Sequence, residues 1–167
     1  LERPMPLKLA GSRIGAGPLC LRNGGGSGGC VGFDQQEAGR WGADIDLDRL
    51  GVELIEGLLP DKLAAEGEAQ IKGRFQAAGP LLTGTVVAQL PQGRIRVVLG
   101  GGRGEVLDLS GSRLTLDSGA KGISGRLDLP LQGLGSLAGD LDLPGWRLDQ
   151  PGRPEQPLRG ALRAQIQ

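Results

Sequence analysis

The chain has 167 residues, long enough for one domain with a sizeable apolar interior, and its 19 basic and 19 acidic side chains are scattered along its length. That balance excludes the clustered basic face a nucleic-acid partner needs. Histidine and tyrosine are absent, which removes the usual general base, and glycine (32) and proline (11) are abundant.

Residues 1–10, with Pro4 and Pro6, are expected to be an extended leading segment. Residues 13–21 alternate loosely and read as a strand. RNGGGSGGC (22–30) is a glycine-rich loop bracketed by Cys20 and Cys30. Over 41–47, Trp41, Ala43, Ile45 and Leu47 share one face and Gly42, Asp44 and Asp46 the other. Residues 49–59 are the one helical candidate: Leu50, Leu54 and Leu58 are four apart, with Ile55 and Leu59 beside them. Asp48 is the N-cap and Pro60 the stop, and so short a helix is held by packing.

Residues 65–77, AEGEAQIKGRFQA, are the most regular stretch. Ala65, Gly67, Ala69, Ile71, Gly73, Phe75 and Ala77 alternate with polar or charged residues without exception. Two interior glycines would each cost a helix about 1 kcal/mol relative to alanine. The period of two predicts a long strand with one dry and one wet face.

Gly79-Pro80 marks a turn. Leu82, Gly84, Val86, Ala88 and Leu90 then share a face. Pro91-Gln92-Gly93 reads as a turn into 94–99, where Ile95, Val97 and Leu99 oppose Arg94, Arg96 and Val98. After the turn GGGRG, short strands follow over 106–109 (with Leu107), 113–117 (Leu114, Leu116), 123–129 (Ile123, Leu127) and 137–143 (Leu141). Residues 150–157 form a proline-rich loop, and Leu162 lies on the apolar side of a last strand over 158–166. The pattern runs to the last residues, so the chain is expected to be a piece of something longer.

Sustained alternation separates this chain from a disordered one of similar composition. Strands at this spacing mean antiparallel hairpins, a sandwich or a barrel-like sheet. Two Trp and two Phe cannot supply the aromatic girdles of a membrane barrel. A sandwich fills its core with large side chains, whereas this dry face mixes Leu with Ala and Gly. The expected fold is therefore all-β: a single segment over 1–167 in one long curled sheet, antiparallel or mixed, with an apolar concave face and the short helix 49–59. Glycines on the inner face would permit coiling and leave room. The trough would be lined by Ile45, Leu47, Ile71, Phe75, Leu82, Val86, Ile95 and Val97, and further along by Leu107, Leu114, Leu116, Ile123, Leu127, Leu141 and Leu162.

Tempting motifs carry little. Gly24-x-Gly26-x-x-Gly29 matches a dinucleotide fingerprint but opens no helix, and Gly25-x-Ser27-x-Gly29 matches a nucleophile elbow without a histidine to serve it. Asp44, Asp46 and Asp48 resemble the start of a calcium loop, but Arg49 and Ile55 stand where its glycine and glutamate belong. Asp140 and Asp142, about 7 Å apart along a strand, have acid–base spacing. The same wet-face positions hold Arg and Gln in other strands, so solvation accounts for them. Cys20 and Cys30 have nine residues between them. Without histidine or further cysteine, zinc is all but excluded. A disulfide in an oxidising compartment is expected, contributing on the order of 2–3 kcal/mol. The alternative is two free thiols in a reducing one. No cofactor or metal is expected.

GPLCLRNGGGSGGCVGF, followed by RWGADIDLDRLGVELIEGLLPDKLAAEGEAQIKGRFQAAGPL, resembles the TamB proteins of Gram-negative bacteria, within the AsmA-like group. The features that carry the likeness are the Cys-Leu…Cys segment, the Trp-centred strand, LGVELIEGLLP and the glycine-bearing amphipathic strands, clearest over residues 17–99. The chain departs from the family pattern at Gly51, where proline often follows the position of Leu50. The resemblance implies a β-taco with a hydrophobic groove, in a periplasmic protein anchored in the inner membrane by a segment outside this chain. It further implies an Omp85-type outer-membrane partner, TamA, and a part in moving phospholipid and assembling outer-membrane proteins. The leading expectation is a non-enzymatic conduit for phospholipid acyl chains. The second is a scaffold acting through exposed strand edges. A glycan-acting enzyme using Asp pairs is disfavoured by the missing histidine and the scarcity of aromatic sugar platforms.

Overall fold

The computed structural model describes residues 6–11, 13–22, 26–37, 39–52, 63–98, 104–147 and 159–166. Their strands are β1 (Leu7–Ala10), β2 (Arg13–Arg22), β3 (Gly28–Glu37), β4 (Arg40–Gly51), β5 (Leu63–Ala78) and β6 (Leu81–Val98). Then come β7 (Gly104–Asp108), β8 (Ser112–Gly119), β9 (Gly122–Leu131), β10 (Gly135–Pro144) and β11 (Arg159–Ile166). All lie in one sheet ordered β1-β2-β3-β4-β5-β6-β8-β9-β10-β11, with β7 beside the second half of β6. Every pairing is antiparallel, with no parallel component among the described strands. β1 and β11 do not pair with each other, so the sheet is not closed into a barrel. The chain is all-β, as its alternation predicts.

The helix expected over 49–59 does not begin where it should. Arg49–Gly51 are the end of β4, no α-helix occurs among the described residues, and residues 53–59 lie outside them. The reason is a β-bulge. Leu47 pairs with Ile71 and Leu50 with Ala69, so β4 fits one extra residue at Asp48-Arg49, where Arg49 takes φ 52°. Of the leucines Leu50, Leu54 and Leu58 whose spacing reads as helical, Leu54 and Leu58 lie outside the described residues, and the bulge returns Leu50 to the sheet face that Leu47 occupies.

Pro91-Gln92-Gly93 is not a turn either; β6 runs straight through it. Glu68 pairs with Gln92 and Gln70 with Gln89, leaving one extra residue on β6 beside Leu90-Pro91. A bulge is where a strand tolerates a proline, because no ladder donor is demanded of it. The break comes instead in the partner strand. Residues 84–90 of β6 pair with β8 and 94–98 with β7, and the turn between β7 and β8 is tied back to β6. The Leu109 N–H donates to the Gly93 carbonyl and the Gly111 N–H to that of Leu90, both at 2.8 Å.

Burial is thin. Among the described residues the only buried apolar side chains are Ala65 and Ala77, and no large side chain is fully buried. The accessible surface is 11605 Å², against about 7,800 Å² for a compact monomer of 17.3 kDa. No second layer covers the sheet among the described residues. Contrary to the expectation of free room at the glycines of the dry face, these glycines seat their neighbours. An added Cβ would lie 2.4 Å from Leu47 Cδ2 at Gly29, 2.8 Å from Val86 Cγ2 at Gly73 and 2.8 Å from Leu116 Cδ2 at Gly125. Packing is lateral, within one layer.

Candidate functional site

Directly paired residues in an antiparallel ladder project to the same side, so the registers trace rows across the sheet. One row runs from β2 to β11 through Leu19, Val31, Ile45, Gly73, Val86, Leu116, Gly125, Leu141 and Gly160. The adjacent row holds Leu21, Gly29, Leu47, Ile71, Ala88, Leu114, Leu127, Gly139 and Leu162. A third carries Phe33, Ala43, Phe75, Gly84, Ser118, Ile123 and Leu143. Leu82 pairs with Ala77, Ile95 with Ala65 and Leu107, and Val97 with Leu63 and Glu105. The structure thus brings every expected trough position to one side of the sheet. At about 4.8 Å per strand, each full row is roughly 40 Å long.

This face is open. Leu21 is 54% exposed, Val31 45% and Leu162 72% near the margins, while Ile71, Val86 and Leu116 in the middle are half-buried by their neighbours. A contiguous exposed apolar surface of this kind marks a contact site. Its hydroxyls are turned to backbone: Ser118 Oγ donates to the Leu82 carbonyl at 2.9 Å, and the Ser112 hydroxyl donates to the Leu109 carbonyl. The Phe33 and Trp41 rings stack at 6.0 Å near one end. A depression of about 610 Å³ lies at the other end of β2, β3 and β4, lined by Leu19, Leu21, Val31, Leu47 and Leu50, with Arg22 and Ser27 also in its wall. That volume is within the range of small-molecule pockets.

The opposite face is charged and internally matched. Arg74 Nε donates to Asp44 Oδ1 at 2.6 Å, and that hydrogen bond, with the carboxylate's charge, raises the arginine pKa further. Lys72 pairs with Asp46 at 3.3 Å, Arg94 and Arg96 with Glu66 at 3.4 and 3.5 Å, and the Thr85 hydroxyl donates to Asp117. Asp140 stands opposite Arg126, and Asp142 opposite Ser124 and Arg159. Asp44, Asp46, Asp140 and Asp142 are therefore members of cross-strand polar ladders, while Asp48 stands opposite Gly28. Among the described residues no cluster of His, Cys, Asp or Glu could hold a metal.

Cys20 and Cys30 are bonded to each other and pair directly between β2 and β3 on the charged side. They take no part in the apolar face. Gly28 and Gly29, part of the glycine-rich motifs, belong to β3 and pair with Asp48 and Leu47. Sequence reasoning missed the β2–β3 share of the face, Leu19, Leu21, Val31 and Phe33, and also Leu50. Val31-x-Phe33-x-Gln35 does alternate, but the polyglycine before it obscured the strand's start.

Compared with protein-family models, with curated proteins and with solved structures, the chain finds no match in any of the three.

Proposed function

We propose that the chain is a non-enzymatic lipid-carrying segment, whose open apolar face binds phospholipid acyl chains and lets them move across its strands. In this reading it forms part of a periplasmic bridge between inner and outer membranes and acts with an Omp85-type partner. The observation that carries the proposal is the unbroken apolar row from Leu19 to Leu141, perpendicular to the strands and covered by no second layer of the described residues. Each added strand lengthens such a path by about 4.8 Å without a new kind of site. Burial of each CH₂ contributes about 0.8 kcal/mol, so an acyl chain is held by contact area and can shift between near-equivalent positions. The matched charges on the other face suit it to water. The compartment and the partner rest on the family resemblance, and the Cys20–Cys30 disulfide supports an oxidising environment.

The test is mass spectrometry of phospholipid co-purified with the protein and with Leu116→Asp, which places a charge at the centre of the row. The expected result is phospholipid on the wild type and its loss from the variant, with the β-sheet circular dichroism of both unchanged. Equal phospholipid on both, or none on the wild type, overturns the proposal. A scaffold acting through strand edges would show the converse, being indifferent to Leu116→Asp.

A further inference from the structure

We infer that the outer edge of β7 is a docking site for a short extended segment of another polypeptide, one carrying basic side chains. This goes beyond lipid binding and does not rest on it. β7 and β8 follow each other in the same register along β6, separated by the turn at Leu109–Gly111. β9 covers the far side of β8, but β7 pairs with β6 alone among the described strands. The chain turns back at residues 132–134, between β9 and β10. Between that turn and residues 105–108 of β7 lies a slot of about 300 Å³.

The slot offers backbone hydrogen-bonding groups. The Leu109 N–H donates to the Gly93 carbonyl, which marks that pair as the hydrogen-bonded kind. Antiparallel ladders alternate, so Leu107 and Glu105 also bond to β6, while the N–H and C=O of Val106 and Asp108 point outward. A strand added here would run antiparallel to β7 and begin at the β9–β10 turn. β7 has five residues, so the added strand spans about 17 Å.

Side chains select the occupant. Val106 is 53% exposed on a face otherwise rich in charge, and Leu134, 50% exposed, flanks the slot from the turn. Glu105 and Asp108 supply the charge, and no lysine or arginine lines the slot. Arg94 stands opposite Asp108 on the inner side, whereas Glu105 stands opposite Val97. A second copy of this chain would bring together two edges that both carry acidic side chains, which like-charge repulsion disfavours. A partner strand alternating valine-like with basic residues satisfies the edge and can set valine beside Val106 while a basic side chain meets Glu105 on the other face.

The experiment uses the whole 167-residue protein and the peptide Lys-Val-Lys-Val-Arg-Val-Lys, with a counterpart carrying glutamate at each basic position. The basic peptide is expected to slow amide exchange at Val106 and to bind about tenfold more tightly than the acidic one. Val106→Pro removes an outward N–H and leaves the Leu107 and Glu105 ladder bonds in place. It should weaken binding about tenfold with the thermal midpoint unchanged. Glu105→Lys should reverse the peptide preference, and it keeps the test decisive should Val106→Pro fail to fold. Equal affinity for the two peptides, no effect of Glu105→Lys, or protection appearing at β1 or β11 instead of Val106 would overturn the assignment.

Discussion

The β2–β3 and β9–β10 pairs belong to the same sheet and hold their registers by different means. β9 and β10 pair through ten consecutive positions without a shift, and Ile123, Leu127, Leu129, Leu137, Leu141 and Leu143 are all half-buried on their apolar side. β2 and β3 pair through seven positions broken between Ala16 and Leu19, where β2 carries an extra residue at Gly17-Pro18. Their apolar side is sparser: Ile14, Leu21, Val31 and Phe33 are exposed, and Gly29 faces Leu21. Only this pair carries a disulfide. Leucine-rich lateral packing is enough to hold a register in a single layer. Where glycines and a bulge thin that packing, a covalent link replaces it.

The strongest way to break this contrast is to remove the link. Cys20→Ser with Cys30→Ser should destabilise the protein by about 2–3 kcal/mol. Amide exchange should rise in β2 and β3 while β9–β10 stays protected; equal loosening of both pairs would sink the account. Next in size, Leu127→Ala should cost about 1–2 kcal/mol in chemical denaturation, below the range for a fully buried leucine because this one is half-buried. Its exchange signature should be confined to β8, β9 and β10.

Two glycines of β3 sharpen the comparison further. An added Cβ at Gly29 would lie 2.7 Å from Leu47 Cα and 2.8 Å from the Asp46 carbonyl oxygen, whereas at Gly32 the nearest atom is Asp44 Cβ at 3.9 Å. Gly29→Ala should therefore destabilise by about 1 kcal/mol. Gly32→Ala should stabilise by about 0.5 kcal/mol, through the unfolded chain. The same sign for both would refute the seating role given to Gly29. Lys72→Ala, which removes the exposed pair with Asp46, should move the denaturation free energy by no more than about 0.5 kcal/mol.

The smallest effect lies outside both pairs. Hydrogen bonds from Ser110, and then the charge of Arg94, hold the Asp108 carboxyl below its ordinary pKa. A depressed folded pKa contributes stability that is fully present above the unfolded value and is lost as pH falls through the folded one. Acid titration below the normal carboxylate range should therefore loosen the β7–β8 turn, read as faster exchange at the Ser110 amide. Asp108→Asn should flatten that dependence, and an unaltered pH profile would contradict it.

Side-chain alternation is a local property, and it made most of this molecule legible. Residues 65–77 announce β5 because each position's polarity states which side it occupies, and the same reasoning placed every expected trough residue on one face. Residues 49–51 misled because Leu50 also begins a four-residue leucine spacing, and 91–93 because a bulge accepts the proline and glycine that otherwise mark a turn. The thin packing of β2 and β3 hid their share of the face.

What the sequence determined by itself was the kind of fold: a two-faced, all-β chain with one dry side, because a period of two has no other economical structure. Only the tertiary structure decided that the sheet stays a single open layer among the described residues, that β6 is served by an interrupted partner, and that bulges at Gly17-Pro18, Asp48-Arg49 and Leu90-Pro91 keep the apolar rows in line. Those outcomes depend on which strand lies beside which. Register is fixed jointly by both strands of a pair, so neither strand's pattern could state it alone.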